Sequence, residues 1–487
     1  MANLCKSRLK WIIVLLGFFP PLVFASSDAS HADPIAPVIL WVTAIFFFGV
    51  LGRYIARQLN QPGVLGELLM GVLVGNLCYF LGMPLAVVLR EGSAIFSIIS
   101  DVLMGGSVTQ AVNTVIQNPY YAQPVIAALS GPNGMDLLKV SYVVDGLSRY
   151  GVIFLLFMVG LETSFDELKH TGRESLQVAT IGVVAPILLG LLAAYFLMPD
   201  SSFQADLFVG ATLSATSIGI TASVLKEMKK LRTREAKTIL GAAMIDDILG
   251  LIILAIVSSI VIRGTIDVLT VSRVVVLAGV FIAGALMMGP WVLRKTVVFF
   301  HLLDLWEAKL ITAFLFLMCL AWLATLAQLA SIIGAFVAGM ILHDGFFDGR
   351  SDTPHKNEPS IQDLVAPLEG ILAPLFFMLI GIQVKLETFM NLHVLLIAAG
   401  LIVAAVLGKL LCGLGASRKD DRILIGIGML PRGEVGLVFA SIGRTLGVIS
   451  DDLFAAIILM VIVTTFIAPI LLKQRYAMHD ASKKRLT

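Results

Sequence analysis

The feature that most constrains this chain is its succession of apolar runs, each about as long as a membrane-crossing helix. A helix needs ~20 apolar residues to cross a bilayer, and about thirteen runs approach that length. They lie near 36–57, 63–83, 146–163, 174–197, 204–226, 236–262, 272–299, 307–328, 330–345, 363–386, 391–415, 423–446 and 452–473. With 58% hydrophobic and 14% charged residues, the chain is predicted to be an all-α polytopic membrane protein.

The first residues predict a signal peptide. A basic start, a short apolar stretch and small residues around Ala25 make residues 1–25 typical of one. The alternative is an uncleaved helix, which Pro20 and Pro21 would interrupt. Cleavage would leave the N-terminus periplasmic. Lys and Arg then concentrate at the opposite ends of the spans, so residues 474–487 are predicted to form a short cytoplasmic tail of an inner-membrane protein.

Two adjacent acids interrupt the sixth run. In AAMIDDILGLIIL, Asp246 and Asp247 would each cost at least ~2.5 kcal/mol in lipid, which suggests a function. Adjacent residues of a helix project about 100° apart, so the two need different partners. Lys409, in the eleventh run, is the candidate cation for one acid. The alternative is that Lys409 reaches the cytoplasmic surface.

Two runs contain residues typical of interrupted membrane helices. The fifth, ATLSATSIGITASV at 211–224, offers hydroxyls that either line a cavity or only allow tight packing. These are Thr212, Ser214, Thr216 and Ser217. In the twelfth, Pro431 breaks the helix, and Arg432 and Glu434 are predicted to compensate charge there. Each broken run is fourth in a set of five, and the two sets have opposite orientation, which predicts an inverted repeat.

Seven sequence motifs follow one another along the chain: QPGVLGELLMGVLVGN, GVIFLLFMVGLE, SATSIGITASVL, IDDILGL, GAFVAGMIL, PLFFMLIGI and MLPRGEVGL. They resemble those of the monovalent cation:proton antiporter-2 family, within it the sodium/proton exchangers with a double-aspartate motif. The resemblance implies an elevator-type antiporter fold with two crossing broken helices. It also implies a homodimer in the bilayer, in which Asp247 binds the transported ion and Asp246 pairs with Lys409.

The same resemblance implies the domain organisation. The scaffold and dimerisation helices would occupy 36–163, around an external insertion at 84–145, and 307–386. The core transport helices would occupy 174–262 and 391–473, and a linker helix 272–299. The insertion is unusual for the family, and its role is not predicted.

The expected function is electrogenic exchange of Na⁺ or Li⁺ for H⁺ by alternating access. We expect no cofactor, no enzymatic activity, no nucleic-acid partner and no nucleotide-binding regulatory domain. One alternative is K⁺/H⁺ exchange, although the glutathione-gated potassium exporters usually show Gln-Asp where this chain has Asp-Asp. Others are a cation channel, an ion-sensing receptor or a structural scaffold. Histidines near the cytoplasmic side either sense pH or are merely solvated: His170, His301, His343 and His355.

Overall fold

A computed structural model describes residues 33–486 of the chain with internal gaps. The gaps are 34, 60, 93, 117–118, 162–164, 200, 264–267, 301, 328, 348–358, 388–390, 433–435, 437–438, 441–442, 444–445 and 447. The predicted signal peptide and Glu434 therefore lie outside the described residues.

The described chain is helical almost throughout, and ten of its segments are long and apolar enough to cross a membrane; one of them, Phe203–Glu227, consists of two consecutive helices. The helices are α1 (Ala36–Gln58), α2 (Gly63–Phe80), α3 (Pro84–Leu89), α4 (Ala94–Leu103), α5 (Val108–Val115), α6 (Pro119–Ser130), α7 (Gly134–Leu161), α8 (Phe165–Leu197), α9 (Phe203–Ser214), α10 (Ile218–Glu227), α11 (Arg234–Arg263), α12 (Val268–Phe299), α13 (Leu305–Leu326), α14 (Ser331–Ile341), α15 (Ile361–Ile382), α16 (Leu392–Cys412), α17 (Arg422–Gly428) and α18 (Asp451–Leu486). The predicted fold class, an all-α polytopic membrane protein, is confirmed.

The start of the third span was predicted too late. Helix α7 begins at Gly134, well before residue 146, because charged residues in its first turns lower the local hydropathy. These charges pair along the helix: Lys139 with Asp136 at 3.1 Å, and Arg149 with Asp145 at 2.7 Å. Pairs three or four residues apart face each other on a helix, so they are compatible with a continuous α7.

The predicted insertion at 84–145 is shorter in the structure, because residues 134–145 belong to α7. The segment 84–130, which we call the insertion from here on, is a small helical unit with its own core. Helices α3–α6 bury apolar side chains against one another and against the start of α7; they include Val88, Ile98, Val112, Val125 and Leu129. Two ion pairs, which we call the insertion staple, tie it to residues following α15. Arg90 Nη2 lies 2.6 Å from Glu387 Oε2, and Lys385 Nζ lies 2.7 Å from Glu91 Oε1.

Two pairs of helices pack through glycines that face each other, and the two pairs are arranged as an inverted repeat predicts. A Cβ on Gly71 of α2 would lie 2.4 Å from the Met378 carbonyl oxygen, and one on Gly381 of α15 would meet α2 equally closely. Gly160 of α7 and Gly339 of α14 form the second such pair. Only glycine permits these backbones to approach so closely. The second predicted span (α2) therefore packs against the tenth (α15) in the same way as the third (α7) packs against the ninth (α14).

The helices pack as two groups. The first contains α1, α2, α7 and α13–α15, and the second contains α8–α11 and α16–α18, with α12 packing against both. The second group has a continuous apolar cluster of its own, which includes Phe208, Leu213, Leu401, Ile457 and Met460. Asp246 and Asp247 lie in α11 and Lys409 in α16, so all three belong to the second group.

Candidate functional site

Two interrupted helices meet in the middle of the second group. Residues 215–217 separate α9 from α10, and α17 ends at Gly428 before a non-helical stretch that includes Pro431. The Ser217 amide donates to the Pro431 carbonyl at 2.7 Å, and the Thr221 hydroxyl donates to the Gly428 carbonyl at 2.7 Å. Backbone groups released by one break are thus satisfied by the other, as the apolar surroundings require.

Arg432 lies fully buried at this crossing. Its Nη1 donates to the carbonyl of Ala215 at 2.7 Å and to that of Thr212 at 3.4 Å, where α9 ends. The C-terminal carbonyls of a helix carry partial negative charge, so a cation there is favourable. The Thr465 hydroxyl of α18 in turn donates to the Arg432 carbonyl. The structure therefore places Arg432 against the end of the opposite half-helix, whereas Glu434 lies outside the described residues.

Lys409 and Asp246 face each other beside the crossing. The Lys409 Nζ lies 3.4 Å from both carboxylate oxygens of Asp246, and both side chains are almost fully buried. Gly182 of α8 packs beside this pair, since a Cβ there would be in van der Waals contact with the Lys409 Nζ at 3.7 Å. Lys409 does not reach the surface, and the two charges balance within the bundle.

Asp247 projects differently from its neighbour. It is 8% exposed, against 2% for Asp246, in keeping with the turn of about 100° between adjacent helical residues. The Thr216 hydroxyl donates to the Met429 carbonyl at 3.4 Å and also lies within hydrogen-bonding reach of Asp246. A hydroxyl has a single proton, so Thr216 serves one of these acceptors at a time.

The other predicted lining hydroxyls bond within their own helix. The Thr212 hydroxyl donates to the Phe208 carbonyl at 2.8 Å, and the Ser214 hydroxyl donates to the Ala211 carbonyl at 2.7 Å. Both protons are therefore engaged, and only oxygen lone pairs would be offered to a cation. Ser217 takes part through its backbone amide.

The sequence alone gave no role to Thr221 and Thr465, whose hydroxyls hold the two breaks. The sequence indicates these two residues only weakly: Thr221 lies in the hydroxyl-rich fifth span, and Thr464 and Thr465 form a polar pair within an apolar run.

Of the histidines considered as pH sensors, His343 is exposed and stacks on Phe346, with ring centroids 4.3 Å apart. The His170 side chain and the residues His301 and His355 lie outside the described part.

The site therefore combines two acids with two cations in an apolar bundle. One acid is paired with a lysine, and the other lies beside that pair. A buried carboxylate can accept either a proton or a metal cation, since each neutralises the same charge. This arrangement suits the exchange of one monovalent cation for another.

Sequence comparison places the chain among proteins of this kind. The family described as "Sodium/hydrogen exchanger, transmembrane" matches residues 42–474. The chain belongs to the sodium/hydrogen exchanger family. It is 35% identical over 476 residues to the high-affinity Na⁺/H⁺ antiporter NhaS3 of Synechocystis sp., covering 96% of this chain and 95% of that protein.

Other relatives agree at lower similarity. The Na⁺/H⁺-K⁺ antiporter GerN of Bacillus cereus is 33% identical over 370 residues, covering 74% of this chain and 90% of GerN. The electron-microscopy structure of the sodium proton antiporter MjNhaP1 from Methanocaldococcus jannaschii matches with a TM-score of 0.57 at 18% identity. That match covers 91% of this chain and 97% of MjNhaP1, and it concerns the fold alone.

Proposed function

We propose that this exchanger moves Na⁺ or Li⁺ out of the cell in return for H⁺, at a site centred on Asp247. The observation that carries the proposal is the placing of two adjacent, buried acids at the helix crossing, with Asp246 in contact with the buried Lys409. Ionisable groups inside a membrane are costly, so they mark ion pathways. The family membership of the chain supports the same reading.

Exchange follows from competition at one carboxylate. Asp247 holds either a proton or Na⁺, never both, so a carrier that alternates its exposure exchanges the two without a separate gate. Two features keep Asp247 in place. One is the contact of Lys409 in α16 with Asp246 in α11, and the other is the crossing held by Arg432 and Thr221. Because the acids and the lysine interact closely, they titrate together.

The movement would be a sliding of the second helix group against the first. The first group then forms the scaffold and dimerisation surface of a homodimer, and the second carries the site as an elevator. Two observations support this division: each group packs mainly within itself, and the second has its own apolar cluster. Residues 474–487 and the α10 end of the bundle would face the cytoplasm of a bacterial cell.

Lys409 would set the charge moved per cycle. If the lysine releases its proton while Asp247 binds Na⁺, two protons enter for each Na⁺ exported. Each cycle then moves one net charge, which couples it to the membrane potential by ~2.3 kcal/mol per 100 mV. Such an exchanger can export Na⁺ against an alkaline exterior.

K⁺ is a second candidate substrate, because the relative GerN is described as a Na⁺/H⁺-K⁺ antiporter. Purified protein in proteoliposomes with a pH-sensitive dye separates the candidates when Na⁺, Li⁺ and K⁺ are added one at a time. We expect proton flux with Na⁺ and Li⁺ at concentrations where K⁺ gives little. Current without proton coupling would instead indicate a channel, and no response to any cation would contradict the proposal.

A further inference from the structure

The C-terminal end of α10 is held by the first helix group at two points. Lys226 Nζ lies 2.6 Å from Glu369 Oε2 of α15, and both side chains are largely buried. The next residue, Glu227, accepts a hydrogen bond from the Gly63 amide at 2.5 Å and lies 3.5 Å from Arg57 Nε. Consecutive residues on a helix project about 100° apart, so the pair contacts two different neighbours.

Glu227 provides α2 with a cap that its own sequence lacks. Helix α2 begins at Gly63 after Pro62, whose side chain accepts no hydrogen bond. The first amides of a helix need acceptors, and a carboxylate there also interacts favourably with the helix dipole. A Cβ on Gly63 would lie 2.8 Å from Arg53 Cγ and 3.1 Å from Glu227 Oε1, so glycine keeps the position open for this carboxylate.

The same short helix links these contacts to the site. Helix α10 begins directly after Ser217, at the crossing, and ends at Glu227, about 15 Å away at 1.5 Å per residue. Movement of the crossing relative to α2 and α15 would therefore pull on both contacts. They are compatible with the present arrangement of the two groups and must break if the groups slide.

We propose that Lys226 and Glu227, with Glu369, Gly63 and Arg57, form an interdomain latch that stabilises the conformation closed at this end. The inference rests on the proposed function, because a latch matters only if the two groups move. Each transport cycle opens and remakes it. Loss of the latch raises the population of the conformation open at this end, and the apparent affinity for an ion entering there rises in proportion.

The first test neutralises the latch and measures the Michaelis constant for Na⁺ from each side of oriented vesicles. For Lys226→Met and for Glu369→Gln we expect the constant at the cytoplasmic face to fall about five- to tenfold, with less than a twofold change at the other face. The swap Lys226→Glu with Glu369→Lys should restore the wild-type values. A matched control is Glu174→Gln, which removes a 2.7 Å contact with Arg234 inside the second group.

Equal changes at both faces, no change, or the same change in the control would overturn the latch. The charge swap also distinguishes loss of the ion pair from misfolding. A swap variant that folds but keeps the altered Michaelis constants of the single variants contradicts the proposal.

A second test reads the latch without transport. Lys226→Cys and Glu369→Cys, in a chain lacking its native cysteines, are joined by a short bis-methanethiosulfonate, which attaches to each thiol through a disulfide bond that reductant cleaves. We expect efficient cross-linking, a lower yield when Glu227→Ala is added, and loss of exchange that reductant reverses. Exchange that continues after complete cross-linking would overturn the latch. If wild-type protein shows no cation-dependent proton flux, the proposed function fails, whereas the cross-linking yields still report on the latch.

Discussion

The crossing and the insertion staple use the same kinds of side chain in different geometries. In the staple, Arg90 and Lys385 lie 2.6 and 2.7 Å from their carboxylates, and their charged groups also lie over aromatic rings. At the crossing, Lys409 lies 3.4 Å from both oxygens of Asp246, next to a second acid. Short ion pairs of this kind hold elements together, whereas a longer, fully buried pair beside another acid can change partners. Variants of each region test this difference.

The largest effect is expected at Arg432. Arg432→Met leaves the buried carbonyls of Thr212 and Ala215 without their donor, which costs about 2–4 kcal/mol of stability. Exchange should be lost and the thermal unfolding temperature lowered. Arg149→Met is the matched control, since that arginine is about half exposed and its pair contributes at most ~1 kcal/mol. Equal thermal stability of the two variants would contradict the role of Arg432.

Lys409→Ala should change the coupling of exchange rather than abolish it. Without the lysine, Asp246 can stay neutral by keeping a proton, so the bundle remains folded. We expect proton exchange that persists but no longer responds to an imposed membrane potential, measured in proteoliposomes with a potassium diffusion potential. Lys385→Ala, in the staple, should leave the voltage response unchanged. A voltage response retained in Lys409→Ala would show that this lysine does not set the stoichiometry.

The staple should matter for stability alone. Arg90→Met leaves the partly buried Glu387 without its partner and should cost about 1–3 kcal/mol. The unfolding temperature should fall, while the Michaelis constant for Na⁺ and the voltage response stay at wild-type values. A changed Michaelis constant would mean that the insertion takes part in transport, and the contrast between the two regions would fail.

A smaller, pH-dependent effect is expected at the loop before α17. Burial raises the pKa of Asp421, but hydrogen bonds from Arg475 and the Leu424 amide outweigh it, so the pKa lies below its ordinary value. In the adjacent Asp420, burial raises the pKa more than Arg234 lowers it. A lowered pKa gives stability that is present above the unfolded pKa and lost as the pH falls through the folded pKa.

Asp421→Asn should therefore lower stability at pH 7 by about 1 kcal/mol. The difference from wild type should begin to shrink as the pH falls below the ordinary pKa of 3.8 and should vanish below the lowered pKa of the folded state. Asp420→Asn is the matched neighbour and should be neutral or slightly stabilising at pH 7, because ionisation of Asp420 opposes folding. Thermal unfolding across pH measures both. Destabilisation by Asp420→Asn as large as that by Asp421→Asn would contradict the assignment.

The sequence predicted an all-helical membrane chain, because local hydropathy locates apolar helices, and a contact of Lys409 with one of the two acids, because a buried charge needs a partner. The charge compensation by Arg432 and Glu434 stays a prediction, since Glu434 lies outside the described residues. Apolar runs locate the helices, and the angle between Asp246 and Asp247 requires separate partners. It could not predict the contact of Glu227 with Gly63, since the capping carboxylate comes from 164 residues away. It also misplaced the start of α7, where ion pairs look like a loop when only hydropathy is considered.

The central claim is that Asp247 is the carboxylate that Na⁺ and H⁺ share. The direct measurement is Na⁺-dependent proton flux of Asp247→Asn in proteoliposomes, with Asp145→Asn as a control for a buried carboxylate of the first helix group. We predict that Asp247→Asn folds with wild-type thermal stability but shows no flux above that of empty liposomes, and that Asp145→Asn keeps its activity. Wild-type flux in Asp247→Asn would contradict the account.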